Sequence, residues 1–180
     1  MLYTRKGDKG DTSAFGCCQR FSKNSKLAEA LGSVDEINSL LGVCKVKSAG
    51  FNFKIKNFNV PEIIGKIQEN LFTIQANIAG ADKKISQENI IFLENITDAI
   101  EKELPLIKSF FISGGTEVSA LLDYSRSVSR RAERRLVALT KTKKFDEEIL
   151  AYLNRLSSLL YALARFVNFK LKIKEKSPEY

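Results

Sequence analysis

Apolar residues recur along most of this chain at steps of three and four, the spacing that places them on one face of a helix. Leu27, Leu31, Val34, Asn38 and Leu41 trace one face of a first helix, which carries Gly32 as an interior weak point. Pro61 suits the first turn of a second helix reaching about Ala79, with Ile64, Ile67, Leu71, Ile74 and Ile78 directed inward. Ser86 is placed to cap a third helix bearing Ile90, Leu93, Ile96 and Ile100 and stopping near Pro105. A break at Ser113-Gly114-Gly115-Thr116 precedes a fourth helix over 117–141, whose stripe is Val118, Leu121, Val128, Ala132, Leu136 and Leu139. Asp146 reads as the N-cap of a fifth helix, with Phe145 and Leu150 as a hydrophobic staple. Its seam runs Leu150, Leu153, Ser157, Leu160, Ala164, Val167 and Leu171. Residues 1–26 lack this period and read as a polar loop, residues 46–60 as a Lys/Asn/Phe-rich connection, and the tail 172–180 as a charged, fraying end. No strand signal emerges. The expected architecture is an all-α bundle of five helices in a single domain spanning 1–180.

Composition narrows the chemistry more than the fold. The 180 residues carry a net charge of +8, which favours anionic partners such as nucleotides, nucleic acid or acidic surfaces. No apolar run approaches the roughly 20 residues of a membrane span, and no leader pattern is evident, so a cytoplasmic protein with no membrane partner is expected. Cys17, Cys18 and Cys44 suit reduced thiols better than a disulfide framework. Histidine is absent, which removes His-based zinc sites, Ser-His and Cys-His nucleophiles and imidazole acid–base chemistry. An enzyme built from this sequence works by positioning and by charge.

The fourth helix is the strongest chemical signal. At 100° per residue Arg126, Arg130, Glu133 and Arg134 share one sector, opposite the apolar stripe. Guanidinium forks pair bidentately with phosphate or carboxylate oxygens, so this face suits an oligophosphate; as a bare charge run it equally suits a solvated surface. The N-terminal stretch Thr4-Arg5-Lys6-Gly7-Asp8-Lys9-Gly10-Asp11-Thr12-Ser13 combines glycines, cations, hydroxyls and carboxylates. Those groups suit phosphate and hydrated Mg²⁺, although the Walker A spacing is missing and such loops are commonly plain turns. Arg20 and Lys23 add charge downstream, Asp35 lies beside the apolar face of the first helix, and Asn154 borders the seam of the last. Phe110 and Phe111 next to the double glycine serve either as core or as an apolar cover on a planar ligand.

Taken in this order, these segments resemble the PduO-type ATP:cob(I)alamin adenosyltransferases over about residues 2–168. The matching pieces are Thr4 to Thr12, Arg20-x-x-Lys23, Gly32-Ser33-Val34-Asp35-Glu36-Ile37-Asn38-Ser39, Gly114-Gly115-Thr116, Arg126-x-x-x-Arg130-Arg131-Ala132-Glu133-Arg134, and Tyr152 to Ser157 with Ala164-Arg165. The resemblance implies a five-helix bundle assembled as a homotrimer with active sites between subunits. It implies transfer of the 5′-deoxyadenosyl group of ATP to the cobalt of cob(I)alamin, with release of triphosphate. Thr4, Arg5, Lys6, Gly7, Thr12, Ser13 and Lys23 would then hold the triphosphate and its Mg²⁺; Arg130, Arg131, Glu133 and Arg134 would contact ATP, and Asn154 the nucleoside. Asp35 would pair with Arg126 across a subunit boundary, and Phe110 would displace the lower ligand of the corrin, unless Phe111 takes that place. A corrinoid reductase and an adenosylcobalamin-dependent enzyme would be partners, and nucleic acid would not. Ser113 stands where the family commonly has proline, and Cys17-Cys18 takes no role. The competing expectation is a helical nucleotide- or nucleic-acid-binding protein without transferase activity.

Overall fold

The computed structural model describes residues 3–14 and 20–179. Five helices dominate it: α1 (Lys26–Lys47), α2 (Val60–Ala79), α3 (Gln87–Glu103), α4 (Glu117–Thr140) and α5 (Glu148–Lys170). Each helix packs on its neighbour in the order α2, α1, α4, α5, α3. The apolar stripes read from the sequence are largely the buried ones: Val34 and Leu41 on α1, Ile64, Ile67, Leu71, Ile74 and Ile78 on α2, and Leu93, Ile96 and Ile100 on α3; Leu27, Leu31, Leu121 and Leu150 are only half-buried, while Ile37, Ile63 and Leu122 are buried beside them. Each fully buried Ile or Leu contributes about 1.5–3 kcal/mol against leaving it in water. α5 differs, because Leu156, Leu159, Leu163 and Phe166 are buried as well as its seam. It lies between α4 and α3, and its Tyr152 hydroxyl accepts from Asn70 of α2 at 3.2 Å. Its seam ends at Val167, and Leu171 lies exposed past the last turn.

Helix starts follow capping chemistry. The Ser25 side chain accepts from the Ala28 N–H at 3.1 Å, and Asn59 and Glu62 exchange 2.8 Å hydrogen bonds in a capping box that sets Pro61 in the first turn. Asn89 reaches back to the Ser86 N–H at 2.9 Å. The fifth helix departs from expectation. Its N-cap is Glu147, with no side-chain cap, because the Asp146 carboxylate is engaged instead by Asn77 of α2 at 2.9 Å. A tertiary hydrogen bond has outcompeted the local cap.

Two small antiparallel hairpins interrupt the all-helical picture. β1 (Asp11–Ser13) pairs with β2 (Arg20–Ser22), so the N-terminal segment is a folded hairpin and not simply a loop. Cys17 and Cys18 lie outside the described residues. β3 (Lys54–Ile55) pairs with β4 (Phe58–Asn59) inside the 46–60 connection, after α1 has continued to Lys47. There Ile55 is buried and Phe51, Phe53 and Phe58 pack on the core, so hydrophobic contact orders the segment. Strands of two or three residues are too short to leave an alternating signature. Cys44 is buried at 3.5 Å from the Ser125 hydroxyl, and burial pushes its thiol pKa up, which keeps it protonated and unreactive.

The tail also departs from expectation. The Ile112 N–H donates to the Lys176 carbonyl at 2.8 Å, the Ser109 and Ser177 hydroxyls meet at 2.8 Å, and Glu175 lies 2.7 Å from the Arg165 guanidinium. The charge that suggested fraying is what docks it.

Candidate active site

α4 begins where the chain reverses through Gly114 (φ 138°) and Gly115 (φ 99°), backbone angles that disfavour any residue with a Cβ. Thr116 then caps it, accepting from the Ser119 N–H at 3.1 Å while the Ser119 hydroxyl accepts from the Thr116 N–H at 3.0 Å. With Val118, Leu122, Val128, Ala132 and Leu136 buried, the polar residues divide between two flanks. Towards α1, Arg131 pairs with Glu36 and Arg135 with Glu29, the latter at 3.0 Å. Towards α5, Arg126 and Arg130 border a cavity of about 660 Å³. Glu133 accepts from the Asn154 side-chain amide at 3.2 Å, which joins two of the expected site residues directly. Arg130 and Arg134 are exposed, and no carboxylate among the described residues pairs with either.

The cavity has two characters. Ile100, Leu104, Leu106, Ile107, Phe110 and Phe111 make an apolar wall from the end of α3 and the loop after it. Thr97, Glu101, Arg126, Arg130, Ser158 and Tyr161 supply polar groups around the remainder. Phe110 is 77% exposed, whereas Phe111 is half-buried with its ring centroid 5.7 Å from the Arg165 guanidinium. Both rings line the cavity, Phe110 the more exposed and Phe111 packed on Arg165. Arg126 is half-buried and its Nε is buried without a hydrogen-bond partner. Asp35 is exposed on α1 and makes no ion pair or hydrogen bond within the described residues, so Arg126 and Asp35 do not meet inside one chain.

The N-terminal hairpin forms its own cluster. The Arg20 guanidinium donates to Asp11 at 2.6 and 2.8 Å and to the Lys6 carbonyl at 2.5 Å. That pairing holds the Asp11 carboxyl below its ordinary value. The Lys23 ammonium donates to the Gly7 carbonyl at 2.9 Å, and a Cβ on Gly7 would come within 3.1 Å of it. Arg5 adopts a left-handed backbone (φ 57°), a conformation uncommon without glycine and concentrated at ligand-binding turns. Thr4, Lys6, Thr12 and Ser13 lie on the same hairpin, yet none of its residues lines the α4–α5 cavity. Within one chain the hairpin cluster and the cavity are separate.

Sequence reasoning missed the buried pair of Arg165 on α5 and Asp123 on α4, 2% and 4% exposed, whose side chains hydrogen-bond behind Phe111. An arginine within Ala162-Leu163-Ala164-Arg165-Phe166-Val167 was the available signal, since a charge in an apolar run needs a buried partner. Among the described residues no group of three or more His, Cys, Asp or Glu side chains could hold a metal.

Comparison with known proteins bears on these features together. The family profile described as cobalamin adenosyltransferase matches residues 2–167. A corrinoid adenosyltransferase of Bacillus subtilis (strain 168) is 38% identical over 172 residues, covering 93% of this chain and 86% of that protein. The corrinoid adenosyltransferase PduO of Citrobacter freundii is 36% identical over 171 residues, covering 91% of this chain; the match spans 49% of that longer protein. Two solved structures of a PduO-type ATP:corrinoid adenosyltransferase from Lactobacillus reuteri share the fold. A phenylalanine-to-histidine variant complexed with cobalamin and ATP gives a TM-score of 0.89 at 30% identity, covering 99% of this chain and 97% of that one. An arginine-to-lysine variant complexed with ATP gives 0.85 at 28% identity, covering 99% and 100%. With a profile spanning nearly its whole length and relatives above 30% identity, the chain belongs to the cobalamin adenosyltransferase family.

Proposed function

We propose that this chain transfers the 5′-deoxyadenosyl group of ATP to the cobalt of cob(I)alamin, forming a Co–C bond as the C5′–O bond breaks and inorganic triphosphate leaves. The observation that carries the reading is the cavity in which an exposed Phe110 and an apolar wall face Arg126 and Arg130. Cob(I)alamin is itself the nucleophile, so a protein without histidine is at no disadvantage. What the site must supply is alignment of cobalt with C5′ and stabilisation of charge on the departing triphosphate. Apolar Phe110 would exclude water and the lower base from one face of the corrin, which favours the Co(I) state.

The separate hairpin cluster and cavity suit completion by a second copy, in keeping with a homotrimer. The hairpin residues Thr4, Arg5, Lys6, Gly7, Thr12, Ser13 and Lys23 of one subunit would hold triphosphate against Arg130, Arg134 and Glu133 of the next, with Asn154 at the nucleoside. Arg131 would join them by exchanging Glu36 for phosphate, a small change because both side chains are solvent-exposed. Asp35 would satisfy the orphaned Nε of Arg126 in a neighbouring subunit. Mg²⁺ would be held by the phosphate oxygens, with the hydroxyls of Thr12 and Ser13 on the hairpin as candidate ligands. A reductase that delivers Co(I) and an enzyme that consumes adenosylcobalamin complete the setting, which we place in the cytoplasm. Among the described residues no helix is long and apolar enough to cross a membrane.

The test is optical. Protein, ATP, Mg²⁺ and chemically reduced cobalamin should yield the absorption bands of an alkylcobalamin, and Arg130→Ala should abolish them with helical circular dichroism intact. ATP binding without those bands in the unaltered protein would overturn the transferase reading in favour of a non-catalytic nucleotide binder.

A further inference from the structure

Behind the cavity wall lies a charged group that the reaction as described does not use. Arg165 is 2% exposed; its guanidinium hydrogen-bonds Asp123 of α4, and Glu175 of the tail lies 2.7 Å from Nη1 as an ion pair without hydrogen-bond geometry. The same carboxylate accepts from the Asn168 amide at 2.6 Å, and Asn168 donates in turn to the Gly114 carbonyl at 2.9 Å while accepting from the Thr116 N–H at 3.3 Å. Beyond Glu175 the tail binds the loop directly, through the Ile112 N–H to Lys176 carbonyl bond and the Ser109–Ser177 contact. The rings of Phe111 and Tyr161 lie 5.7 and 5.0 Å from the Arg165 guanidinium, both within reach of a cation–π interaction.

The loop after α3 has little else to hold it. Leu106, Ile107, Phe110 and Ile112 are 81, 41, 77 and 58% exposed, so apolar burial contributes little to its conformation. Its fixed points are the ring of Phe111 on Arg165, the Gly114 carbonyl on Asn168 and on the Ser119 hydroxyl of α4, and the tail on Ile112 and Ser109. All but the Ser119 bond lead to Arg165, to the segment that Glu175 docks, or to Asn168, which itself bonds Glu175.

We propose that Arg165 and Glu175 are positioning residues for the corrinoid half of the reaction: the tail carboxylate docks on the buried guanidinium and so fixes the loop that presents Phe110. This rests on the adenosyltransferase reading. Neither residue touches ATP in it, so disturbing them should affect the corrinoid and spare the nucleotide. Arg165 itself is a poor probe, because removing it strands Asp123 in the core and endangers folding. Glu175 lies beyond the last turn of α5, outside the helical core, and can be changed without opening the bundle.

The experiment measures two things on the full-length protein. Amide hydrogen exchange in the absence of ligands reads the loop by itself: Glu175→Ala should speed exchange across residues 106–116 about tenfold and leave α1 and α5 protected. Steady-state kinetics read the consequence: KM for cobalamin should rise about fivefold or more, with KM for ATP changed less than about twofold. Glu175→Gln, which keeps an oxygen for Asn168 but gives up the charge, should fall between Ala and the unaltered protein in both. Unchanged exchange in Glu175→Ala, an equal rise in both KM values, or a Gln variant matching the unaltered protein would overturn the proposal. Should the unaltered protein form no alkylcobalamin, the exchange measurement still decides whether Glu175 holds the loop, so the two failures are told apart.

Discussion

Replacing Gly115 with alanine puts the turn before α4 under a load whose size follows from its geometry. Gly115 sits at φ 99°, and a Cβ there would lie 2.6 Å from Nδ2 and 2.7 Å from Oδ1 of Asn168. The backbone contribution is about 1–3 kcal/mol for a residue with a side chain in a sparsely populated positive-φ region. The side chain of Asn168 must also move, giving up its bonds to Gly114 and Thr116 at about 0.5–1.5 kcal/mol each. The sum is about 2–6 kcal/mol if the helix start is to survive. For a chain of this size that lowers Tm by about 4–24 °C, read by circular dichroism at one protein concentration. Gly114→Ala is the matched control, since Gly114 has φ 138° but a Cβ added to it would meet no atom within 4 Å. It should suffer the backbone contribution only, leaving a gap of about 1–3 kcal/mol between the two variants. A Gly115→Ala protein melting within about 1 °C of the unaltered one, or no further down than Gly114→Ala, would refute the reasoning.

Two further outcomes follow from the site. Phe110→Ala should slow adenosylation by about tenfold or more while ATP affinity, measured by calorimetry, stays within about twofold; equal loss of both would remove Phe110 from the corrin face. Asp35→Asn should weaken assembly and turnover together, because a half-buried Arg126 loses the charged partner we assign it. Light scattering that finds the variant assembled like the unaltered protein, with full turnover, would rule out the pairing.

The helices were legible because burial imposes a period. Ile64, Ile67, Leu71, Ile74 and Ile78 face inward as the three- and four-residue steps require, and the Ser-Gly-Gly-Thr break marks the start of α4 to the residue. The arginines of α4 were legible as a charged helix, but their division into two flanks was not. Arg131 and Arg135 turn to Glu36 and Glu29 of α1, a choice that depends on which helix lies alongside. Asp146 failed as a cap for the same kind of reason, since Asn77 comes from a segment far away in sequence.

Local order, then, belongs to the amino-acid string: where helices begin, which side of each is apolar, and which residue types are at hand for phosphate and corrin. Those follow from short-range sterics, capping and the period of a helix, none of which needs a neighbour. What only the tertiary structure decided is who meets whom: Phe111 packed on Arg165 and Phe110 the more exposed, the tail docked where its charge suggested fraying, and Arg165 buried between carboxylates from α4 and the chain end. Long-range pairing of charges depends on distance and burial, and both come into being only when the helices pack.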